Sequence, residues 1–309
     1  MATSTLSVKP AAACAPARSL WQRQRWLILR RSSQVLILLA FLTGPWFGLW
    51  IAKGNLSSSL TLGVLPLTDP LLVLQTLLTG HLPYSSALIG AAIVLGFYLL
   101  VGGRVFCSWA CPVNVVTDAA AWTRRRLGIK TGRVPDAATR YWLLGGLLVA
   151  AAVTGTLVWE WVNPVSLLHR GLIFGMGGGL FVIAGIFIYD LLVASRGWCG
   201  HLCPMGAFYG LLGKTALLRV AAPNRKACDD CMDCFAVCPE PQVISPALRG
   251  NKTGVGPVIL SGDCTVCGAC IDACPERVFT LTHRFDTRLL PCSATSQPET
   301  PAAYERTTP

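Results

Sequence analysis

Two series of cysteines near the C-terminus constrain the fold of this chain more than any other feature. Each series has the spacing C-x2-C-x2-C-x3-C-P, where x is any residue. The first is Cys228, Cys231, Cys234 and Cys238 followed by Pro239, and the second is Cys264, Cys267, Cys270 and Cys274 followed by Pro275. Cysteine thiolates at this spacing hold [4Fe–4S] clusters. We therefore predict that the C-terminal part of the chain folds around two such clusters.

The fourth cysteine of each series is expected to serve the other cluster, as in paired series of this kind. The predicted ligands of cluster 1 are Cys228, Cys231, Cys234 and Cys274. The predicted ligands of cluster 2 are Cys264, Cys267, Cys270 and Cys238. Structural zinc usually takes two C-x2-C pairs, and disulfide frameworks need an oxidising compartment and have less regular spacing. Neither alternative accounts for two matching series as well as iron–sulfur clusters do.

Long apolar runs precede the cysteine series and predict helices that cross a membrane. Hydrophobic residues make up 53% of the 309 residues and charged residues only 13%, which is too apolar for an ordinary soluble domain. The apolar runs are 34–52, 87–106, 141–159 and 172–194. Each has roughly 19–23 residues and would give about 30 Å of helix, enough to span a bilayer.

The basic residues are distributed unevenly along the chain and predict its orientation. Residues 1–33 hold six basic side chains and no acidic one, and 104–140 holds seven, whereas Lys53 is the only basic residue of 53–86. Positive charge gathers on the cytoplasmic side of membrane proteins, so we predict a multi-pass protein of the bacterial inner membrane with both termini in the cytoplasm. The net charge of +11 therefore favours membrane lipid as a partner, and we expect no nucleic-acid binding.

A second cysteine motif occurs twice, each time where an apolar run ends. Its pattern is R-x-aromatic-C-x3-C-P, and its cysteines are Cys107 and Cys111 in the first copy and Cys199 and Cys203 in the second. Cysteines at i and i+4 share one face of a helix, so the four sulfurs form a candidate redox or metal site. They could bind a further metal or cluster, react as redox-active thiols, or pack as small apolar residues. The duplication favours a functional role and leaves the choice between a metal centre and thiol chemistry open.

These features divide the chain into four predicted parts. The fold class is an α-helical integral membrane protein with four transmembrane helices and a C-terminal α+β two-[4Fe–4S] ferredoxin-like domain. The parts are a disordered segment 1–20, a membrane domain 21–223, a cytoplasmic cluster domain 224–285 and a disordered tail 286–309. Asp69 and Pro70 also predict the start of a short helix within Thr68–Leu78.

The order of the motifs resembles that of the NapH family. Four apolar runs, two C-x3-C-P motifs and two cluster series follow one another, and Cys231–Ile244 reads CMDCFAVCPEPQVI. The similarity covers about residues 20–285 and extends to the MauN group and to the membrane parts of NosR. It implies an iron–sulfur subunit of a quinol dehydrogenase. Such a subunit passes electrons from the quinol pool, through a periplasmic ferredoxin-like NapG-type partner and a membrane-anchored c-type cytochrome, towards a periplasmic nitrate reductase.

We expect an electron-transfer subunit with no catalytic residue of its own, because the clusters carry the chemistry. Two other functions are compatible with the same motifs. The chain could be a redox or assembly factor that matures a periplasmic metalloenzyme, or a passive anchor for a soluble partner.

Overall fold

The computed structural model describes residues 19–129, 132, 135–175 and 177–286. The two segments predicted to be disordered lie outside the described residues, except for positions 19, 20 and 286.

The first helix, α1, runs from Leu20 to Phe47. It begins well before the first predicted span, which starts at Gln34. It ends earlier too, because Ala52 belongs to a strand. The polar residues that interrupt the apolar pattern lie inside the helix and have protein partners. Gln34 Nε2 donates to the carbonyl oxygens of Ser108 (3.0 Å) and Cys111 (3.2 Å). The middle of α1 therefore packs against protein, which a search for apolar runs cannot detect.

The connection after α1 is a three-stranded antiparallel sheet that the sequence analysis did not predict. Its strands are β1 (Ala52–Gly54), β2 (Ser58–Thr61) and β3 (Leu65–Thr68), in the order β1-β2-β3. Helix α2 (Pro70–Leu78) follows directly. Asp69 is its N-cap, and Asp69 Oδ1 accepts a hydrogen bond of 2.9 Å from the Leu71 N–H. The predicted helix start at Asp69 and Pro70 is therefore confirmed.

Helices of very different length form the middle of the chain. They are α3 (Ser85–Val101), α4 (Val105–Trp109), α5 (Val113–Arg126), α6 (Thr139–Thr154), α7 (Val158–Val162), α8 (Pro164–Phe174) and α9 (Gly178–Leu192). The fourth apolar run is divided between α8 and α9, because Gly175 adopts a left-handed conformation with φ +66° that ends α8. Helix α6, which lies mostly within the third apolar run, also ends at a glycine in the left-handed conformation, Gly155, with φ +65°.

Among the described residues, one helix is both long enough and apolar enough to cross a membrane, over Gln24–Phe47. Helices α3, α6 and α9 are apolar but have 17, 16 and 15 residues. At 1.5 Å per residue they reach about 22–26 Å, somewhat less than the hydrocarbon core of about 30 Å. The described helices thus do not establish four complete spans.

The C-terminal module is built from short elements around cysteines. After a π-helical turn (Trp198–Leu202) come α10 (Pro204–Gly213), β4 (Leu218–Ala221), α11 (Asp233–Val237), α12 (Ile244–Arg249), α13 (Ala269–Ala273) and β5 (Thr280–His283). Strand β4 lies before the predicted boundary at residue 224 and pairs antiparallel with β5, which brings Val220 opposite Leu281. Val220, Ile244 and Val278 are buried together with cysteines in one core. The module therefore has a small apolar core that is continuous with its sulfurs.

Candidate functional site

The eight cysteines of the two series lie around two separate cavities of the C-terminal module. One cavity is lined by Cys228, Cys231, Cys234 and Cys274. The other is lined by Cys238, Cys264, Cys267 and Cys270. Each cavity thus takes three cysteines from one series and the fourth from the other, which is the grouping that crossed ligation requires.

The loops that carry the first three cysteines of each series have the same backbone shape. Asp230 and Met232 have positive φ angles (58° and 65°), and so do Val266 and Gly268 at the equivalent positions (48° and 71°). Positive φ is uncommon outside glycine and unfavourable for a β-branched residue such as Val266. Non-glycine residues keep this conformation only where the surroundings impose it, and such sites are often functional. The repeated strain indicates loops that are shaped to curl around a bound object.

The cavities suit an iron–sulfur cluster better than a single ion. Among the described residues, no three cysteine, histidine or acidic side chains lie close enough to hold one metal ion. The four thiolates of a [4Fe–4S] cluster bind four different iron atoms, so they need not meet at one point. Backbone N–H groups also point at the sulfurs, from Asp230 to Cys228 and from Val278 to Cys274, each at 3.4 Å. Hydrogen bonds of this kind tune the potential of clusters.

Burial disfavours the thiolate form of these cysteines when no iron is bound. It raises the pKa of Cys234 and of Cys264 to about 11. At neutral pH both side chains are therefore protonated in the metal-free protein. Iron binding has to displace those protons, so loading with iron and folding of the module are coupled.

The two C-x3-C-P motifs share a turn that is wider than an α-helical turn. The Cys111 N–H donates to the Phe106 carbonyl (2.9 Å), and the Cys203 N–H donates to the Trp198 carbonyl (2.8 Å). Both bonds run from a residue to the fifth residue before it, as in a π-turn. The predicted i, i+4 placement on one regular helix is therefore wrong. The proline after each second cysteine disfavours the α conformation there, and Cys203 is indeed extended, with ψ 113°.

The four cysteines of these motifs line a single small cavity. Apolar side chains complete its wall, among them Phe106, Trp159, Val165 and Trp198. Burial raises the pKa of each thiol, that of Cys203 to about 11. The proximity of the other sulfurs adds to the effect at Cys111, Cys199 and Cys203. Four neutral thiols that face each other would become thiolates on binding a cationic centre.

Buried ion pairs join the C-x3-C-P motifs to the cluster module. Arg104 Nη1 lies 2.6 Å from Glu240, and Arg140 Nη2 lies 2.7 Å from Asp263. Glu240 follows Cys238 by two positions, and Asp263 directly precedes Cys264. Arg104 also donates to the Cys199 carbonyl at 2.9 Å. The sequence analysis treated Arg140 only as a topology charge and did not consider the two carboxylates, although both flank cluster cysteines.

Two further hydrogen bonds connect the four-cysteine cavity to the cluster 2 loop. Ser108 Oγ donates to the Thr265 carbonyl (2.8 Å), and Trp109 Nε1 donates to the Val266 carbonyl (3.2 Å). Ser108 lies between Cys107 and Cys111 in the chain, and Thr265 lies between Cys264 and Cys267. The two sulfur sites are therefore adjacent and rigidly coupled.

Two family models match the chain, and both concern iron–sulfur proteins. A model described as "4Fe-4S binding domain" matches residues 86–130 and 174–225, which contain the two C-x3-C-P motifs. A model described as "4Fe-4S dicluster domain" matches residues 227–278, which contain both cysteine series.

Several curated proteins resemble the chain over most of its length. The methylamine utilization ferredoxin-type protein MauN of Methylorubrum extorquens is 56% identical, over 87% of this chain and 92% of the relative. MauN of Paracoccus denitrificans is 53% identical, over 87% and 95%. The ferredoxin-type protein NapH of Escherichia coli is 50% identical, over 86% and 92%. No solved structure matches the chain.

Proposed function

Because the chain belongs to the ferredoxin-type family of MauN and NapH, and is therefore an iron–sulfur electron-transfer protein, we propose that it is an inner-membrane subunit of a quinol dehydrogenase. In this proposal, electrons leave the quinol pool and reach a periplasmic acceptor. The chain contributes bound clusters and contacts with its partners, and it contributes no catalytic residue.

The proposed cluster ligands are the two groups of four cysteines, with crossed pairing. The observation that carries the proposal is that each cavity holds three thiols of one series and the fourth of the other. When bound, [4Fe–4S] clusters accept and release single electrons. The protein surrounds the sulfurs with buried apolar side chains such as Val278 and Phe279, excluding water, and it aims backbone N–H groups at Cys228 and Cys274.

The membrane placement with four crossings is also a proposal. Helix α1 has the length and composition of a span. The shorter helices α3, α6 and α9 carry large apolar side chains on their surfaces: Phe97 is 49% exposed, Val153 81% and Phe181 81%. Apolar surface of this extent is unfavourable in water and is covered by lipid in a membrane protein. The positive charge of the N-terminal segment and of the connection between α3 and α6 supports a cytoplasmic location for the cluster module.

We propose that Cys107, Cys111, Cys199 and Cys203 hold a further iron–sulfur cluster. All four line one cavity, and the two segments that match the "4Fe-4S binding domain" model contain one motif each. The hydrogen bond from Ser108 to the Thr265 carbonyl supports a position of this site beside the proposed cluster 2. An electron could then pass between the module and the membrane helices over a short distance. In a thiol-only alternative, the same cysteines would undergo disulfide chemistry and bind no iron.

The leading function and its main alternative differ in the molecule that receives the electrons. If the chain functions like NapH, it would deliver electrons through a NapG-type partner and a membrane-anchored c-type cytochrome to a periplasmic nitrate reductase. Relatives named for methylamine utilization match at similar identity, and this favours a second candidate. In that case the chain is a redox factor that matures a periplasmic metalloenzyme.

An anaerobic purification with quinol titration tests the proposal. We expect about eight iron atoms per chain from two [4Fe–4S] clusters, and more if the third site is filled. Reduced quinol added to membrane vesicles should reduce the clusters, as read by electron paramagnetic resonance. A preparation without iron would refute the cluster assignment. Full iron content without reduction by quinol, together with an immature partner enzyme in a deletion strain, would instead establish the maturation function.

A further inference from the structure

A cavity of about 520 Å³ lies between α1, α5 and the cluster module, apart from the three sulfur sites. This volume is in the range of small-molecule sites. One wall is apolar and includes Leu27, Val115 and Trp122, and the other carries four arginines. These arginines are Arg30, Arg31, Arg125 and Arg196.

Arg30 is the most unusual residue of the cavity. It is only 4% exposed, and its Nε has no hydrogen-bond partner. Within the part of the chain that the structure describes, no carboxylate lies within ion-pair distance of its guanidinium. A buried charge without a partner is strongly unfavourable. The geometry therefore favours an anion in the cavity.

The acidic residues of the cavity supply only part of the compensating charge, because Asp272 acts electrostatically on both Arg25 and Arg30. Asp118 is shared by two other arginines, Arg31 at 2.5 Å and Arg196 at 3.1 Å. Asp272 accepts a hydrogen bond from the Trp26 N–H at 2.9 Å and pairs with Arg25 at 3.7 Å. The four arginines and two carboxylates that line the cavity leave it with an excess of positive charge.

We propose that this cavity binds the phosphate of an anionic amphiphile, with Arg30 as the central contact and Arg125 at the rim. Guanidinium groups bind phosphate through paired charge-assisted hydrogen bonds. The apolar wall with Trp122 accommodates the hydrocarbon part of the same molecule. A membrane phospholipid has both parts, and basic pockets between helices on the cytoplasmic side bind anionic headgroups. The assignment of a membrane phospholipid as the ligand depends on the proposed membrane placement of α1.

The bound molecule would lie against the cluster module. The cavity wall includes Val237 and Ala269, which directly precede the cluster 2 cysteines Cys238 and Cys270. A phosphate here would hold α1, α5 and the module together through Arg30, Arg125 and Arg196. The ligand thus acts as a structural link at the junction where the module meets the helices.

Native mass spectrometry of the cluster-loaded full chain in detergent tests the proposal. The probes are phosphatidylglycerol and phosphatidylcholine with identical acyl chains. We expect the anionic lipid to bind at least about tenfold more tightly, and Arg30→Gln to weaken its binding about tenfold. Because Arg30 is buried, Arg125→Gln provides a milder variant that should lose about threefold. Its control is Arg249→Gln, which removes an exposed arginine of the cluster module that does not line the cavity.

Three outcomes have defined meanings. Equal binding of both lipids, or equal effects of Arg125→Gln and Arg249→Gln, would overturn the site. Displacement of phosphatidylglycerol by flavin mononucleotide but not by riboflavin would support the phosphate site and show that a soluble phosphate ester can occupy it. Carbonate extraction of membranes tests the membrane placement separately. A chain that stays in the membrane but shows no preference for phosphatidylglycerol would refute the site and leave the placement intact.

Discussion

Arg104 donates a hydrogen bond of 2.6 Å to Glu240, and the two side chains are 2% and 4% exposed although 136 positions separate them. Glu240 also lies 3.6 Å from Arg140, and Asp263 lies 2.7 Å from Arg140 and 3.9 Å from Arg104, so two carboxylates compensate the two buried guanidinium groups. The pair joins the first C-x3-C-P motif to the segment that follows Cys238. It determines how the cluster module sits on the helices.

Replacement of Glu240 by glutamine should destabilise the protein strongly. The variant leaves the buried Arg104 with the more distant carboxylate of Asp263, 3.9 Å away, and removal of one partner of a buried pair costs about 3–5 kcal/mol. We expect a lower midpoint of thermal unfolding and faster loss of the cluster absorbance. Arg249→Gln is the control, because its pair with Asp230 is exposed and is worth only about 0–1 kcal/mol. Equal midpoints for the two variants would contradict the role given to Glu240.

Single cysteine replacements should reveal which cysteines share a cluster. With crossed ligation, Cys274→Ser alters the same cluster as Cys234→Ser, although Cys274 belongs to the second series. Cys238→Ser should likewise match Cys270→Ser. The reason is that each pair lines one cavity. Electron paramagnetic resonance of the reduced variants, with iron counts, makes the comparison. If Cys274→Ser instead resembled Cys270→Ser, the ligation would not be crossed.

Gly262→Ala should weaken the docking of the module. A Cβ atom at residue 262 would collide with the Gly210 carbonyl of α10, where the two backbones meet. Overpacking of this kind typically costs about 1–3 kcal/mol. Limited proteolysis should then release the module more readily. Gly256→Ala lies on the same segment with open space around its Cβ position, and it should behave like the wild type.

Asp69→Asn should remove part of the pH dependence of stability. Burial raises the pKa of Asp69 from 3.8 to about 6, against the opposing effect of hydrogen bonds from Leu71 and Tyr209. An acid with a raised pKa in the folded state stabilises the fold fully below about pH 4. This contribution is lost as the pH rises through about 6.

The asparagine side chain keeps an oxygen for the N-cap of α2 and carries no charge. We therefore expect the variant to be at least as stable as the wild type at pH 7.5. Its unfolding midpoint should also change less between pH 4.5 and 7. Asp136→Asn serves as the control, since Asp136 caps a turn at an exposed position. A wild-type pH profile in Asp69→Asn would refute the assignment.

The short-range features were predictable because they depend on neighbours in the chain. The helix start at Asp69 and Pro70 follows from capping chemistry, and the iron–sulfur character follows from cysteine spacing. The predicted geometry of the C-x3-C-P motifs was wrong because the chain forms a wider, π-type turn before each proline, and cysteine spacing alone does not specify that turn. The bounds of α1 were missed because Gln34 and Arg31 have partners in α4, α5 and the adjoining loop. An apolar run ends at such residues, whereas the helix continues.

The spacing of eight cysteines by itself determined that this chain binds iron–sulfur clusters, since ligand geometry around a cluster is encoded within a few residues. Only the tertiary structure decided that four more cysteines meet in one cavity, that Glu240 compensates Arg104, and that the buried Arg30 lines a cavity with more arginines than carboxylates. The physical reason is that a buried charge or thiol takes its properties from whichever segments pack around it. Those segments are far apart in the chain, and local pattern does not specify which of them come together.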